Sequence, residues 1–219
     1  MLDDASSSPS GRDDAPGLTV SGVRRLGRLP GFSRVVLEDD SWFPLLSQTT
    51  ENLGIIPGFF FVFPELEALR SQGWESYAYA LGLDLLARSE TPAFGLRRKL
   101  LRRKLPPEAV AGAIEALLAE GSLDDRRFAD AWLRVQLRSK AVSRRALLAG
   151  LRRRGVARSV CEAAVSAAFE EQPELSDELF ARAVEQVLRR RNMTPDRAAQ
   201  ALLRRGFRTD RVARWYSSL

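Results

Sequence analysis

The sequence contains no histidine and only one cysteine, Cys161, in 219 residues. The lack of histidine excludes histidine-based acid–base catalysis, Ser-His and Cys-His nucleophile pairs and most zinc sites. A single cysteine excludes an internal disulfide framework. No glycine-rich phosphate loop stands between a strand and a helix. The sequence therefore predicts a binding protein and not an enzyme, with no catalytic residues, no cofactor and no metal.

Long apolar runs are also missing. The longest one, around Gly58–Phe63, is far too short to cross a bilayer. No charged segment followed by an apolar core opens the chain, so no secretory signal is predicted. Together with the scarcity of cysteine, this favours a cytoplasmic protein that has no membrane partner and is a monomer.

Lysine is scarce, and the basic residues are unevenly distributed. Only Lys99, Lys104 and Lys140 among the 34 basic residues are lysines. Residues 1–70 carry six arginines and ten acidic residues, a net charge of −4, whereas residues 71–219 carry 28 basic and 18 acidic residues, a net charge of +10. The basic part indicates a polyanion or an acidic protein surface as partner. The arginine excess reflects either genomic base composition or a use for planar, bidentate guanidinium groups.

A segment of the chain recurs with a period of 51 residues. Leu100, Leu151 and Leu202 align, and each is followed by an arginine pair and then by further apolar positions. Such a period marks a repeated supersecondary unit that stacks on its neighbours. Apolar residues recur with helical spacing from Gly73 onward. The predicted fold class is therefore mainly α: an elongated array of three tandem three-helix repeats, preceded by a small β-containing N-terminal module.

The predicted organisation has five parts. They are a disordered lead-in (1–17), a small mixed β/α module (18–72) and three three-helix repeats (73–123, 124–174 and 175–219). The module is predicted to contain strands at Thr19–Leu29, Phe32–Leu37 and Trp42–Leu46 and a short helix that begins at Pro64–Arg70. In repeats two and three, helix caps are predicted at Ser143, Ser176 and Thr194, and helix stops at Gly155 and Gly206. The residues predicted to face the core of repeat two are Phe128, Trp132 and Val135.

Arginines follow the buried leucine of each second helix by two and three positions, which places them on the flank or the solvent side of the helix. The candidate binding residues of this basic face are Arg98, Arg102, Arg103, Arg145, Arg153, Arg154, Arg204 and Arg205. Any single one of these could serve only the helix dipole or solubility, but the set exceeds what solubility requires. Aromatic residues are not interleaved with the basic runs, so contact with a phosphate backbone or with acidic side chains is favoured over base stacking.

The segment Leu117–Leu133, LLAEGSLDDRRFADAWL, resembles the junction between the first and second repeats in the RecX family of RecA regulators. The matching positions are Glu120, Gly121, Leu123, Asp124, Asp125, Arg127, Phe128, Ala129 and Trp132. Two further family segments match at Leu151 with Arg154-Gly155 and at Leu202 with Arg205-Gly206. The chain departs from the family pattern at Ala93 and Gly95, where members carry serine and glutamate, and at Lys104, which replaces glycine.

The resemblance implies a negative regulator of the RecA recombinase that binds in the groove of the RecA–DNA filament. It also implies inhibition of ATP hydrolysis, strand exchange and filament extension. Single- or double-stranded DNA would then be contacted without strong sequence preference. Two alternatives stay open: a DNA-binding transcriptional regulator that uses helix-turn-helix-like repeats, and a generic RNA-binding array.

Overall fold

The structure, a computed structural model, describes residues 16–219. This part begins with four β-strands and a short helix and continues with nine further α-helices. The predicted fold class, mainly α with a small β-containing N-terminal module, is confirmed. The lead-in predicted for residues 1–17 lies outside the described residues except for its last two positions, and Gly17 already belongs to the first strand.

The N-terminal module is an antiparallel sheet. Its elements are β1 (Gly17–Arg25), β2 (Phe32–Leu37), β3 (Trp42–Leu46), α1 (Ser47–Asn52) and β4 (Phe60–Val62). The strands lie in the order β3-β2-β1-β4, and all neighbouring pairs are antiparallel. β1 ends four residues earlier than predicted because the chain turns there, with the Phe32 amide donating to the Leu29 carbonyl at 2.9 Å. Val35, Phe43 and Phe61 are almost completely buried in the core of this module.

The helix after the sheet is much longer than the sequence predicts. Instead of a short helix at Pro64–Arg70 and a new one after Gly73, a single helix, α2, runs over Phe63–Arg88. The prediction is wrong because Gly73 is a packing residue and not a break. A Cβ there would lie 2.0 Å from the Pro44 carbonyl oxygen of β3. The absent side chain lets the helix approach the strand closely.

The remaining eight helices repeat the period of the sequence. They are α3 (Ala93–Leu101), α4 (Pro107–Ala119), α5 (Asp125–Ser139), α6 (Arg144–Arg152), α7 (Arg158–Glu170), α8 (Leu175–Leu188), α9 (Pro195–Arg204) and α10 (Thr209–Tyr216). The first residues of α3, α6 and α9 are 51 positions apart, and so are those of α4, α7 and α10. With α2, α5 and α8 as first helices, these elements form three copies of a three-helix unit.

The chain divides into two compact units. One contains the residues up to Leu85 together with Lys99–Ala119, and the other contains Leu86–Arg98 and Glu120–Leu219. The second unit holds two apolar clusters, one for each of the last two copies. Leu147, Leu151 and Cys161 are buried in the cluster of copy two, and Val187 and Leu202 in that of copy three. Burial raises the pKa of the Cys161 thiol, which keeps it neutral and unreactive.

Most predicted helix ends are confirmed, and two local predictions are wrong. Ser143 and Thr194 cap α6 and α9 through their side-chain oxygens. Ser176 is not a cap, because α8 begins at Leu175 after Glu174, whose side chain forms no capping bond. Val135 does not face the core: it is 60% exposed, whereas Leu133 on the same helix is buried.

A carboxylate that is distant in sequence caps the start of α3. The Ala93 amide donates to Oδ1 of Asp125 at 2.8 Å, across 32 residues. Asp125 is also the first residue of α5, where a negative charge is favourable near the helix N-terminus. The carboxylate therefore serves the N-termini of two helices, which fixes the start of α3 against the start of α5.

We expect Asp125→Ala to lower the free energy of unfolding by about 1–2 kcal/mol, since the substitution removes a capping acceptor and a favourable charge. Urea unfolding followed by circular dichroism measures this change. Asp125→Asn is the matched control: it keeps an acceptor for the Ala93 amide and should lose less than half as much. An alanine variant as stable as the parent protein would show that the Ala93–Asp125 hydrogen bond does not stabilise the fold.

Candidate functional site

The second helices of copies two and three, α6 and α9, are tied together by one hydroxyl. Ser143 Oγ accepts from the Ala146 amide at 3.1 Å, which caps α6, and donates to the Arg205 carbonyl at 2.7 Å, just past the end of α9. Next to this bond, a Cβ on Gly206 would lie 2.8 Å from Ser143 Oγ and 3.5 Å from the Cβ of Arg145. Gly206 has a φ of +84°, so its lack of a side chain permits both the turn and the close contact.

A cleft of about 610 Å³ opens beside this junction. We call it the basic cleft, and its cationic lining residues are Lys140, Arg145, Arg153, Arg204 and Arg205. Its other lining residues are neutral: Ser139, Ala141, Val142, Ala146, Ala149, Gln186, Leu203 and Gly206. Since no acidic residue lines the cleft, its charge is suited to a ligand with several negative groups.

The structure brings four of the eight predicted arginines together in the basic cleft. Arg153 follows α6 and Arg204 ends α9, so equivalent positions of two copies meet in one site. Arg98 and Arg154 are exposed elsewhere on the same unit, while Arg102 and Arg103 belong to the other unit. Helical spacing therefore predicts the exposure of these side chains but not which of them converge.

Arg205 is the one predicted arginine that is only partly exposed. It donates to the Ala183 carbonyl at 3.4 Å and to Gln186 Oε1 at 3.3 Å. Burial lowers the pKa of the Arg205 guanidinium, and the nearby charge of Arg190 contributes to this shift. Arginine nonetheless stays protonated at neutral pH. Arg205 is thus a fixed cation at the base of the cleft, whereas Arg145, Arg153 and Arg204 are free to reorient.

The predicted arginines have no carboxylate partners, in contrast to a group of other arginines in the chain. Within residues 16–219, none of the eight forms an ion pair with a carboxylate. Eleven other arginines do form such ion pairs: Arg25, Arg28, Arg70, Arg126, Arg127, Arg152, Arg158, Arg189, Arg208, Arg211 and Arg214. The charges of the eight predicted arginines are therefore not neutralised by carboxylates within residues 16–219 and are available to an external anion.

A wider cleft of about 1250 Å³ also borders the junction, but three of its five arginines are neutralised by carboxylates. Arg152 pairs with Glu162 at 3.4 Å and Arg208 with Asp210 at 3.0 Å, and Arg211 contacts Asp177. Paired arginines bind a further anion weakly, because the internal partner must first be displaced. The basic cleft is consequently the better candidate for an anionic ligand.

Sequence reasoning misses Lys140 and the packing of Arg154. Lys140 lines the basic cleft from the end of α5, with Nζ donating to Gln136 Oε1 at 3.0 Å. The Arg154 guanidinium lies over the Trp132 ring at 4.8 Å and donates to the Gly150 carbonyl at 2.9 Å. Neither the place of Lys140 in the cleft nor the Arg154–Trp132 contact has a signal in the helical periodicity, because both depend on how helices meet.

Residues 16–219 contain neither a candidate metal site nor a candidate membrane-spanning helix. In this range no three or more Cys, Asp or Glu side chains are grouped so that they could hold a metal ion. None of the helices described is long and apolar enough to cross a membrane.

Comparison with known proteins identifies the family. The family model described as "RecX, second three-helix domain" matches residues 124–165, which contain α5, α6 and the start of α7. The regulatory protein RecX of Treponema pallidum is 42% identical over 137 residues, which cover 63% of this chain and 82% of that protein. The chain belongs to the RecX family. The RecX resemblance of Leu117–Leu133 is thereby confirmed, and the named relatives are regulatory proteins.

Solved RecX structures share the fold. A crystal structure of regulatory protein RecX superposes with a TM-score of 0.66 at 20% identity, covering 92% of this chain and all of that chain. The crystal structure of RecX from Lactobacillus salivarius gives a TM-score of 0.57 at 16% identity, covering 67% of this chain and 98% of that one. At such identities the similarity concerns the RecX fold alone.

Proposed function

We propose that this protein is a negative regulator of the RecA recombinase, acting by binding and without chemistry of its own. It binds in the groove of the RecA–DNA filament and inhibits ATP hydrolysis, strand exchange and filament extension. The observation that carries the proposal is the basic cleft, in which Arg145, Arg153 and Arg204 converge without an internal carboxylate partner. Membership of the RecX family supports the choice of RecA as the partner.

The repetition of the basic positions suits a periodic partner. Arg102, Arg153 and Arg204 are 51 residues apart, and two of them meet in the basic cleft. A nucleoprotein filament presents phosphates and acidic side chains at regular intervals, so a protein with repeated cationic positions can contact several of them at once. Simultaneous contacts raise the affinity for an assembled filament above that for a single subunit.

The proposal is tested by the DNA-dependent ATPase rate of the cognate RecA with this protein titrated in at two salt concentrations. We expect inhibition at substoichiometric amounts of protein, since one bound molecule affects a run of filament subunits. If five cations contact phosphates, a fourfold rise in salt should weaken binding on the order of 100-fold. The slope of the logarithm of the binding constant against the logarithm of the salt concentration also measures how many of the contacts are ionic.

Two results would contradict the proposal. The first is an unchanged ATPase rate at a large excess of this protein over RecA. The second is retention of one duplex sequence about 10³-fold more tightly than others, which is the behaviour of a sequence-specific transcriptional regulator. Tight RNA binding in the absence of RecA would instead favour the RNA-binding array.

A further inference from the structure

The junction between copies one and two is built like the one beside the basic cleft, but with different side chains. At the second junction, the one between copies two and three beside the basic cleft, Arg145 packs on Gly206. A Cβ on Gly206 would lie 3.5 Å from the Arg145 Cβ. Fifty-one residues earlier, Phe94 packs on Gly155, where a Cβ would lie 2.3 Å from the Phe94 Cγ. Phe94 therefore takes at the first junction the place that Arg145 takes in the basic cleft.

A second position changes in the same direction. Gln186 lines the basic cleft and accepts from Arg205. Its equivalent 51 residues earlier is Val135, and the equivalent of Arg205 is Arg154. Arg154 lies over Trp132, one helical turn before Val135, just as Arg205 contacts the backbone of Ala183, one turn before Gln186. The contacts of the two junctions therefore correspond, and since Gln186 and Arg145 line one cleft, this correspondence places their equivalents Val135 and Phe94 at one opening.

We call Phe94, Val135 and the edge of Trp132 the apolar junction surface. Phe94 is 52% exposed and Val135 is 60% exposed, although both are large apolar side chains. A phenylalanine and a valine that face one opening form a patch, whereas a lone exposed apolar residue needs no explanation. The corresponding positions at the second junction are polar, so the repeated fold does not itself require apolar residues there.

Unpaired cations flank this surface. Arg98 lies one helical turn after Phe94, and Arg154 directly precedes Gly155 and lies over Trp132; neither arginine forms an ion pair within residues 16–219. The carboxylates near the start of α3 are already engaged. Glu90 pairs with Arg127 at 2.7 Å, and Asp125 caps the helix. The surface thus combines an apolar centre with a net positive rim.

We propose that the apolar junction surface docks an acidic segment of a protein partner, with an apolar side chain of that segment seated between Phe94 and Val135. Charge complementarity with the arginine rim selects an acidic segment, and aromatic and arginine residues are those that dominate protein–protein hot spots. This proposal rests on the proposed function, so the acidic segment belongs to RecA, the protein component of the filament. The basic cleft is then free to bind phosphates.

The composition of the surface favours a protein over single-stranded nucleic acid. Binding by base stacking uses successive aromatic faces. Here Val135 has no π face, and the Trp132 ring is covered by Arg154 on one side and contacts Gly150 on another. Only Phe94 could accept a base, whereas an aliphatic or aromatic side chain could use both exposed residues.

Site-specific photo-crosslinking tests the proposal directly. Phe94→p-benzoylphenylalanine in the full chain is irradiated with RecA filaments assembled on single-stranded DNA, and the adducts are identified by mass spectrometry. We expect adducts with RecA at a peptide that contains Asp or Glu. Adducts with DNA alone, or no adducts although the protein co-sediments with filaments, would overturn the inference.

Two variants provide a measurement that does not depend on the probe. Val135→Thr, at an exposed position that the fold does not need, and Phe94→Ala should each weaken binding to filaments by about tenfold or more. Affinity for bare single-stranded DNA should stay within twofold. Phe60→Ala, which removes another exposed phenylalanine (40% exposed), is the control and should change neither affinity.

The failure of this inference is distinguishable from failure of the proposed function. Filament affinities of both variants equal to that of the parent protein would overturn the docking surface and leave the regulator intact. No association of the parent protein with RecA filaments would overturn the proposed function, and the docking surface would fall with it.

Discussion

Reversing the charge of Arg153 and Arg204 together is expected to weaken binding to RecA filaments at least 100-fold. These guanidinium groups come from equivalent positions of two copies, line one cleft and have no carboxylate partner within residues 16–219. Their positive charge is therefore not neutralised by a carboxylate and is available to the ligand. Two glutamates would remove two favourable contacts and add two repulsive ones, and a 100-fold loss corresponds to about 2.8 kcal/mol.

The measurement is the concentration of the variant Arg153→Glu plus Arg204→Glu that halves the RecA ATPase rate. Arg189→Glu plus Arg214→Glu is the matched control. It changes the net charge by the same amount at arginines that are also exposed, 76% and 79%, but that already pair with carboxylates one turn away. Equal loss of inhibition in both double variants would assign the effect to net charge and remove the basic cleft from the mechanism.

The largest expected effect on stability is that of Gly155→Ala, a loss of about 2–5 kcal/mol in the free energy of unfolding. Two costs add at this position. Gly155 has a φ of +83°, and a residue with a Cβ is strained there by about 1–2 kcal/mol. The new methyl group would also lie 2.3–2.4 Å from three atoms of Phe94, and such overpacking costs about 1–3 kcal/mol.

Urea unfolding of matched variants separates these two costs. Gly121 has a φ of +77°, and a Cβ added there would meet no neighbouring atom within 4 Å, so Gly121→Ala should show only the backbone cost. Adding Phe94→Ala to Gly155→Ala should restore part of the crowding cost, because it removes the Cγ and Cδ1 of Phe94 but leaves the Cβ at 2.4 Å. If Gly155→Ala is no more destabilising than Gly121→Ala, the contact between Phe94 and Gly155 is loose.

The repeat and its helix ends can be predicted from the sequence because they depend on neighbouring residues. The 51-residue period, the caps Ser143 and Thr194, and the stops at Gly155 and Gly206 are local signals. Even the departure at Lys104 preserves the turn: its φ is +60°, the same left-handed region as in the glycines. Lys104 is exposed, so its side chain has room where those of the glycine positions do not.

The errors and omissions concern contacts between segments that are far apart in the chain. Gly73 resembles a break in the sequence because its contact with Pro44 is invisible to periodicity. Val135 has the spacing of a core residue, yet it faces outward near Arg154. Similarly, the sequence predicts that the arginines are exposed. Which of them converge on one cleft without a carboxylate partner depends on three-dimensional neighbours, and that convergence is what singles out the basic cleft.

The two hydrogen bonds of Ser143 have a consequence for cooperativity. Ser143 is only 5% exposed, and its hydroxyl links the first turn of α6 to the backbone that follows α9. Melting of copy three would leave this hydroxyl without an acceptor and weaken the start of α6 in copy two. Adjacent copies therefore share part of their folding free energy, as in a one-dimensional lattice with nearest-neighbour coupling. Copies two and three should accordingly unfold in a single transition, and copy two alone should be less stable than it is beside copy three.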